Sequence, residues 1–303
     1  MRSVFGVFFF ARTAGNTDYT SIARLSGHFA TTYLFDDILD DPGYPDEEKT
    51  DYFQNVLQIL ASKKYDEQEY SNDPVMAFSE RAFTDMRDIL DERRGRMVAQ
   101  SYHAIAQATY TGSHWKYTTP LTEADLYAIA TIKAAYTRII PAILAGHTID
   151  SGFLAHCMRA GLIYQLTDDL RDITDDLEEE TITPFNYYRY GISAMDVHPV
   201  EVFFAAVRRI SEENLRNIPD ARDLWVLRIS HSLRMLQMKH GEENLQTLFR
   251  ELHFPDDACT TEMARIGEYS SVIVDIEAEA AKTSSDSAVT MRGGWSSKPV
   301  YGH

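Results

Sequence analysis

Two acidic clusters carry the chemistry this sequence could perform. The first lies in Tyr33-Leu34-Phe35-Asp36-Asp37-Ile38-Leu39-Asp40-Asp41 and the second in Asp168-Asp169-Leu170-Arg171-Asp172. Each places carboxylates at i, i+1 and i+4, and on a helix positions i and i+4 stand on one face, roughly 6 Å apart along the axis. Carboxylates crowded there repel one another unless a hard divalent cation sits between them. Both clusters close an otherwise apolar helical run, with Phe29, Tyr33 and Phe35 before the first and Leu162, Tyr164 and Leu166 before the second. Most acidic runs are solvated helix ends. Carboxylates near a helix C-terminus, however, oppose the macrodipole, and a counterion would offset that cost. The pattern predicts that the clusters face each other across a pocket and hold Mg²⁺ for a diphosphate substrate. Asp36, Asp37, Asp40, Asp168, Asp169 and Asp172 are the expected ligands.

The elements that must position these residues read as helices. Asn16-Thr17-Asp18 is an N-cap, and Ile22, Leu25, Phe29 and Tyr33 follow at helical period as far as the first cluster, where Pro42-Gly43-Tyr44-Pro45 stops the run. Asp46-Glu47-Glu48 opens a second helix with Tyr52, Phe53, Val56, Leu57 and Leu60 on its apolar side. A polar loop from Lys63 to Asp73 leads to a long tract starting at Pro74, interrupted by Arg93-Arg94-Gly95-Arg96 and resuming through Tyr102 to Tyr110. Thr119-Pro120-Leu121-Thr122-Glu123 starts the next helix, which meets a kink at Pro141. Another runs from Asp150 through Asp168 to Glu178-Glu179-Glu180, and Thr181 to Gly191 reads as loop. Helices over 199–216, 220–240 and 260–282 complete the core, and the tail from Ser284 to His303 is expected to be disordered. No stretch alternates as a strand does. The fold class is all-α, a single-domain bundle of about ten helices over residues 1–283 around a central apolar cavity.

Composition narrows the partners. A formal net charge of −17 argues against a nucleic-acid partner, since phosphate backbones need a basic stripe, but not against a small phosphorylated substrate held through metal ions. Cys157 and Cys259 have neither zinc spacing nor a disulfide framework and read as thiols of a reducing, cytoplasmic compartment. The apolar run at Met1 to Phe10 is short, followed by Arg12 and without a clear cleavage site, so it is read as a buried first element rather than a signal peptide. No segment has the roughly 18 uncharged apolar residues that span a membrane, so no stable membrane insertion is expected.

The motifs themselves are more specific. Tyr33-Leu34-Phe35-Asp36-Asp37-Ile38-Leu39-Asp40 resembles the first aspartate-rich motif of the class I isoprenoid synthases. Gly161-Leu162-Ile163-Tyr164-Gln165-Leu166-Thr167-Asp168-Asp169-Leu170-Arg171-Asp172 resembles the second motif of their trans-prenyl diphosphate synthase branch, Gln165 included. Between them, Tyr127 to Tyr136 is similar to the segment that carries that branch's diphosphate-binding lysine, here Lys133. The resemblance covers roughly residues 20 to 190. It implies an all-α bundle in which Mg²⁺, three ions with Mn²⁺ able to substitute, joins both clusters to an allylic prenyl diphosphate. Homodimers are common among such proteins, and the sequence leaves the oligomeric state open.

Departures from that branch redirect the expectation. Chain elongation there uses a basic, Gly-Lys-containing segment well upstream of the first motif, and only Arg2, Arg12 and Arg24 precede Asp36. The paired arginines after the first motif are replaced by Pro42 to Glu48, and the later lysine-bearing loop by Thr181 to Tyr190. The ionising half is kept and the acceptor site for isopentenyl diphosphate is lost, a combination that fits a terpene cyclase. The Asn/Ser/Glu second motif usual in cyclases is absent. Thr31 and Thr32 are small where bulky residues shorten the pocket in the resembling family, so farnesyl diphosphate or a longer chain is the expected substrate. Two alternatives remain: a prenyl diphosphate synthase or other coupling enzyme, and a non-catalytic partner subunit, which would have no need of carboxylates at all six motif positions.

Further residues follow from that chemistry. Lys133, Arg189 and Arg96 are candidate donors to phosphate oxygens. Phe29, Tyr33, Tyr102, Tyr136, Tyr164 and Trp225 could face a carbocation, although each aromatic taken singly is more often core packing. His114, His147 and His240 form no metal-ligand pair, and Ser230-His231-Ser232 reads as polar helix surface.

Overall fold

Capping side chains fix where the helices begin. The computed structural model of the protein describes residues 18–29, 43–61 and 74–217, with single positions at 15, 31, 38, 39, 41, 241, 247 and 250. Among the described residues there are nine helices and no strand, so the fold is all-α as expected. The first ten residues, the loop at 63–73, the expected helices at 220–240 and 260–282 and the tail from Ser284 lie outside the described residues.

Helix α1 (Tyr19–His28) starts where Asp18 Oδ1 accepts the Ser21 N–H at 3.2 Å. It ends at His28, short of one continuous helix to the acidic cluster, and beyond it the described Thr31, Ile38 and Leu39 are helical. Helix α2 (Asp46–Ala61) opens on Asp46, Glu47 and Glu48, which suit the positive end of the helix dipole, and buries Tyr52, Phe53, Val56 and Leu60. Helix α3 (Pro74–Ile89) begins at its proline. The break expected at Arg93–Arg96 falls instead at Leu90-Asp91. Asp91 is extended (φ −64°, ψ 161°) and its Oδ1 accepts the Arg94 N–H at 2.9 Å, which starts α4 (Glu92–Ser113) before the basic run.

Helix α5 (Glu123–Leu144) has a reciprocal cap, with Thr122 Oγ1 accepting the Asp125 N–H at 3.2 Å and the Asp125 carboxylate accepting the Thr122 N–H at 2.8 Å. It continues through Pro141 to Leu144. Helix α6 (Ser151–Arg171) starts at Asp150, whose Oδ1 accepts the Phe153 N–H at 2.8 Å. The single helix expected here is two, because Asp172 (φ −103°, ψ 13°) ends α6 and precedes α7 (Ile173–Glu178). The expected loop at Thr181–Gly191 contains α8 (Pro184–Tyr190). Thr183 caps it, Pro184 opens it, and Asn186 Oδ1 accepts the Thr183 N–H at 2.8 Å. Helix α9 (Pro199–Asn217) lies as expected.

Packing makes α5 central: its widest contacts are with α6 and α4, and it also meets α1 and α8. Helix α2 rests on α3 and α4, and α9 on α6 and α8. Ile22, Val56, Met76, Tyr102, Ile105 and Ile140 are among the buried side chains of the main core. A smaller cluster joins Leu121, Leu126 and Tyr187, flanked by Trp115 and Tyr117. Its anchor is the fully buried Tyr187, whose hydroxyl donates to the Thr119 carbonyl at 2.6 Å and accepts the Leu121 N–H at 3.0 Å. Tyr187→Phe strands both groups and is expected to cost about 1–3 kcal/mol in denaturant unfolding. A change near zero would mean that water replaces the hydroxyl.

Candidate functional site

The site begins with a glycine. A Cβ built on Gly161 of α6 would stand 2.6 Å from the Ala135 amide nitrogen of α5 and 2.8 Å from its Cα. Only a residue without a side chain lets the helices come this close. The same contact brings Lys133 of α5 near the acidic end of α6, where its charge acts on Asp169 and on Asp176 of α7.

Asp168 and Asp169 are adjacent in sequence but sit differently. The Asp168 side chain is 52% exposed, whereas Asp169 is buried, and Gln165 Nε2 donates to Asp169 Oδ1 at 2.8 Å. Burial lifts the Asp169 carboxyl to about 7, against the Gln165 hydrogen bond and Lys133 and with the help of the Asp168 and Asp172 charges. Asp176 is raised to about 8, first by burial and then by Asp169, Asp172 and Asp168, with Lys133 again opposing. Four carboxylates therefore share one field. Two residues of this cluster are absent from the sequence-based site: Asp176, and Arg171, which pairs with both Asp168 and Asp172 and whose Nε lies 3.1 Å from Asp172 Oδ1. Asp176 was visible as a further one-turn step, since Asp168, Asp172 and Asp176 stand at i, i+4 and i+8. Tyr117 adjoins them: burial first, and then Tyr190, Glu180 and Asp176, push its phenol up.

The other expected site residues lie in varied surroundings. Tyr33, Asp36, Asp37 and Asp40 are outside the described residues, as is Trp225. Beside them, Leu39 is fully buried, and the exposed Asp41 accepts the Gly43 N–H at 2.7 Å. Phe29 and Tyr102 belong to the main core, where Tyr102 meets Phe83 edge-on with ring centroids 4.7 Å apart. Tyr136 packs half-buried against that core. Tyr164 has the Arg138 guanidinium 3.7 Å from its ring centroid, so a cation already covers one face of the ring. Arg96 pairs with Glu92 and its side chain is 63% exposed. Arg189 is exposed, 5.4 Å from the Tyr190 ring, on a helix that touches α5, α6 and α7.

Fit to a hard divalent cation can be judged from the donors. Among the described residues no three His, Cys, Asp or Glu side chains are arranged to hold a metal ion, and the Arg171 guanidinium pairs with both members of the Asp168–Asp172 step. The donor chemistry itself fits, since carboxylate oxygens are what Mg²⁺ takes; the raised values of Asp169 and Asp176 come first from burial and only then from the neighbouring carboxylates.

The raised carboxyls set a pH dependence. An ordinary aspartate in the unfolded chain titrates near 4. Between about pH 4 and the folded values of about 7 and about 8, the folded protein holds protons that the unfolded chain has lost. Stability of the metal-free protein therefore falls as pH rises through that window and levels off above it. The expected loss between pH 5 and pH 8.5 is on the order of 2 kcal/mol, with the proton shared by the coupled pair. Denaturant unfolding in EDTA measures it, and Asp169→Asn should flatten the profile. A rise in stability across the same window would contradict the assigned burial.

No helix among the described residues is long and apolar enough to cross a membrane. Comparisons with protein families, with curated proteins and with solved structures found no match to this chain.

Proposed function

We propose that the protein is a Mg²⁺-dependent class I terpene synthase that ionises an allylic prenyl diphosphate, farnesyl diphosphate first, to a carbocation that cyclises to a terpene hydrocarbon or alcohol. The observation that carries the reading is the buried Asp169, held by Gln165 inside a four-carboxylate cluster that also feels Lys133. Helical folding of the segments that carry Lys133 (α5) and the second motif as far as Arg171 (α6) supports it. Asp168, Asp169, Asp172 and Asp176, with Asp36, Asp37 and Asp40, would hold the metal. Bound Mg²⁺ supplies positive charge to a departing diphosphate without a proton donor. Lys133 and Arg189 donate hydrogen bonds to the phosphate oxygens, and Arg96 joins them only by leaving Glu92. Gln165 fixes the orientation of the Asp169 carboxylate so that it need not reorganise during reaction. Apolar side chains on the buried faces exclude the water that would quench a cation.

A second reading, prenyl coupling with isopentenyl diphosphate, is favoured by the Gln165–Asp169 pairing within the motif that resembles the trans-prenyl branch. The acidic stretch after the first motif disfavours it. Incubation with Mg²⁺ and geranyl, farnesyl or geranylgeranyl diphosphate, with and without isopentenyl diphosphate, separates the two by mass spectrometry of the products. Terpene from a single substrate supports the cyclase. A longer diphosphate formed only with isopentenyl diphosphate overturns it, and no turnover under any condition favours a non-catalytic subunit.

A further inference from the structure

Arg171 is the last residue of α6, and its guanidinium reaches back to Asp168 and forward to Asp172, so one side chain joins carboxylates that stand one helical turn apart. The geometry is unusually complete for a charge at a helix end. Nη2 pairs with an oxygen of each aspartate, and Nε adds a second contact to Asp172 at 3.1 Å. The Arg171 side chain is 27% exposed and the Asp172 side chain 31%, so water screens that pair less than it would on an open surface, whereas Asp168 is 52% exposed and its pair is screened more. A divalent cation entering between Asp168 and Asp172 needs the same oxygens. The two cations therefore compete, and a fixed guanidinium and a metal ion also repel each other at such short range.

We infer that Arg171 is a built-in counterion of the acidic cluster, a positioning residue that holds Asp168 and Asp172 in the metal-free protein and must swing away before a divalent cation can take them. This rests on the metal-site reading proposed above. Two consequences follow from the placement. Part of the negative charge of the cluster is offset, and Asp168 and Asp172 are held, before metal arrives, and the intrinsic affinity for a lone cation is held down by the cost of releasing Arg171. A diphosphate, which offers the released guanidinium a new anionic partner, makes that release easier, so metal and diphosphate bind better together than apart.

The test is Mn²⁺ binding to the full-length protein, read by the electron paramagnetic resonance signal of free Mn²⁺, for the wild type, Arg171→Gln and Arg171→Lys. Arg171→Gln is expected to bind Mn²⁺ about tenfold more tightly in the absence of diphosphate, because the competing charge is gone. Arg171→Lys, which keeps the charge but loses the forked geometry, should fall between the two and guards against a Gln variant that fails to fold. A residue that merely stabilises the helix end would lower the melting temperature without tightening metal binding. Unchanged or weaker Mn²⁺ binding in both variants overturns the role given to Arg171 while leaving the metal site standing. Absence of Mn²⁺ binding in all three proteins, with and without inorganic pyrophosphate, overturns the metal site and this inference together.

Discussion

Asp169→Asn is expected to lower Mg²⁺-dependent diphosphate release by about a hundred- to a thousandfold while making the metal-free protein more stable at pH 8. Both effects come from one fact. The Asp169 carboxyl is buried beside Asp168 and Asp172 and is lifted to about 7, so its charged form is disfavoured in the fold. Asparagine keeps the size and still accepts the Gln165 hydrogen bond seen at 2.8 Å, so packing is preserved and only the charge is lost. A charge that costs stability but is needed for activity identifies a functional position rather than a structural one. Asp168→Ala and Asp36→Ala are likewise expected to abolish product with the fold intact. Normal turnover in the Asp169→Asn variant would remove Asp169 from the ligand set, and a loss of stability at pH 8 would contradict its burial as a charge.

Gly161→Ala is expected to destabilise the protein by about 1–3 kcal/mol and to impair turnover as well. The added methyl would stand 2.6–2.8 Å from backbone and Cβ atoms of Ala135, and backbone cannot yield as a flexible side chain can. Alanine ordinarily gains up to about 1 kcal/mol over glycine in a helix, so a net loss measures the clash. Parting α5 from α6 also moves Lys133 from Asp169, which should raise the Asp169 carboxyl further. Gly95→Ala is the control. It lies inside α4 with nothing within 4 Å of where the methyl would stand, and the substitution should be neutral or stabilising. Equal effects at the two positions would mean that helix propensity alone is at work.

Much of the helical framework was legible because caps are local. Asp18, Thr122 and Asp150 each bind an amide three residues ahead, a signal contained in a few adjacent residues. Helix α8 was missed because seven residues give no periodicity to detect, although Thr183, Pro184 and Asn186 announced its start. The break at Asp172 was missed for the opposite reason, since residues on both sides continue the helical pattern.

The candidate site was legible in type and not in placement. Sequence supplied Asp168, Asp169, Asp172, Gln165 and Lys133. It could not say that Asp169 turns inward while its neighbour Asp168 is half exposed, because the rotation of α6 is set by the Gly161–Ala135 contact with another helix. Asp176 is not among the residues the motifs select, and its half-burial and the effect of three other aspartates on it place it in the cluster. Arg171 passed for an intervening residue, and it is the side chain that pairs the two exposed-side carboxylates.

On the proposed function, these carboxylates serve to ionise a single allylic diphosphate. Diphosphate release from farnesyl diphosphate as sole substrate, followed with and without Mg²⁺, tests it most directly. Release is expected to need Mg²⁺, to stop with EDTA and to yield a cyclised terpene in step with the diphosphate. Release that is independent of divalent metal, or none from farnesyl, geranyl or geranylgeranyl diphosphate at any Mg²⁺ concentration, would contradict it.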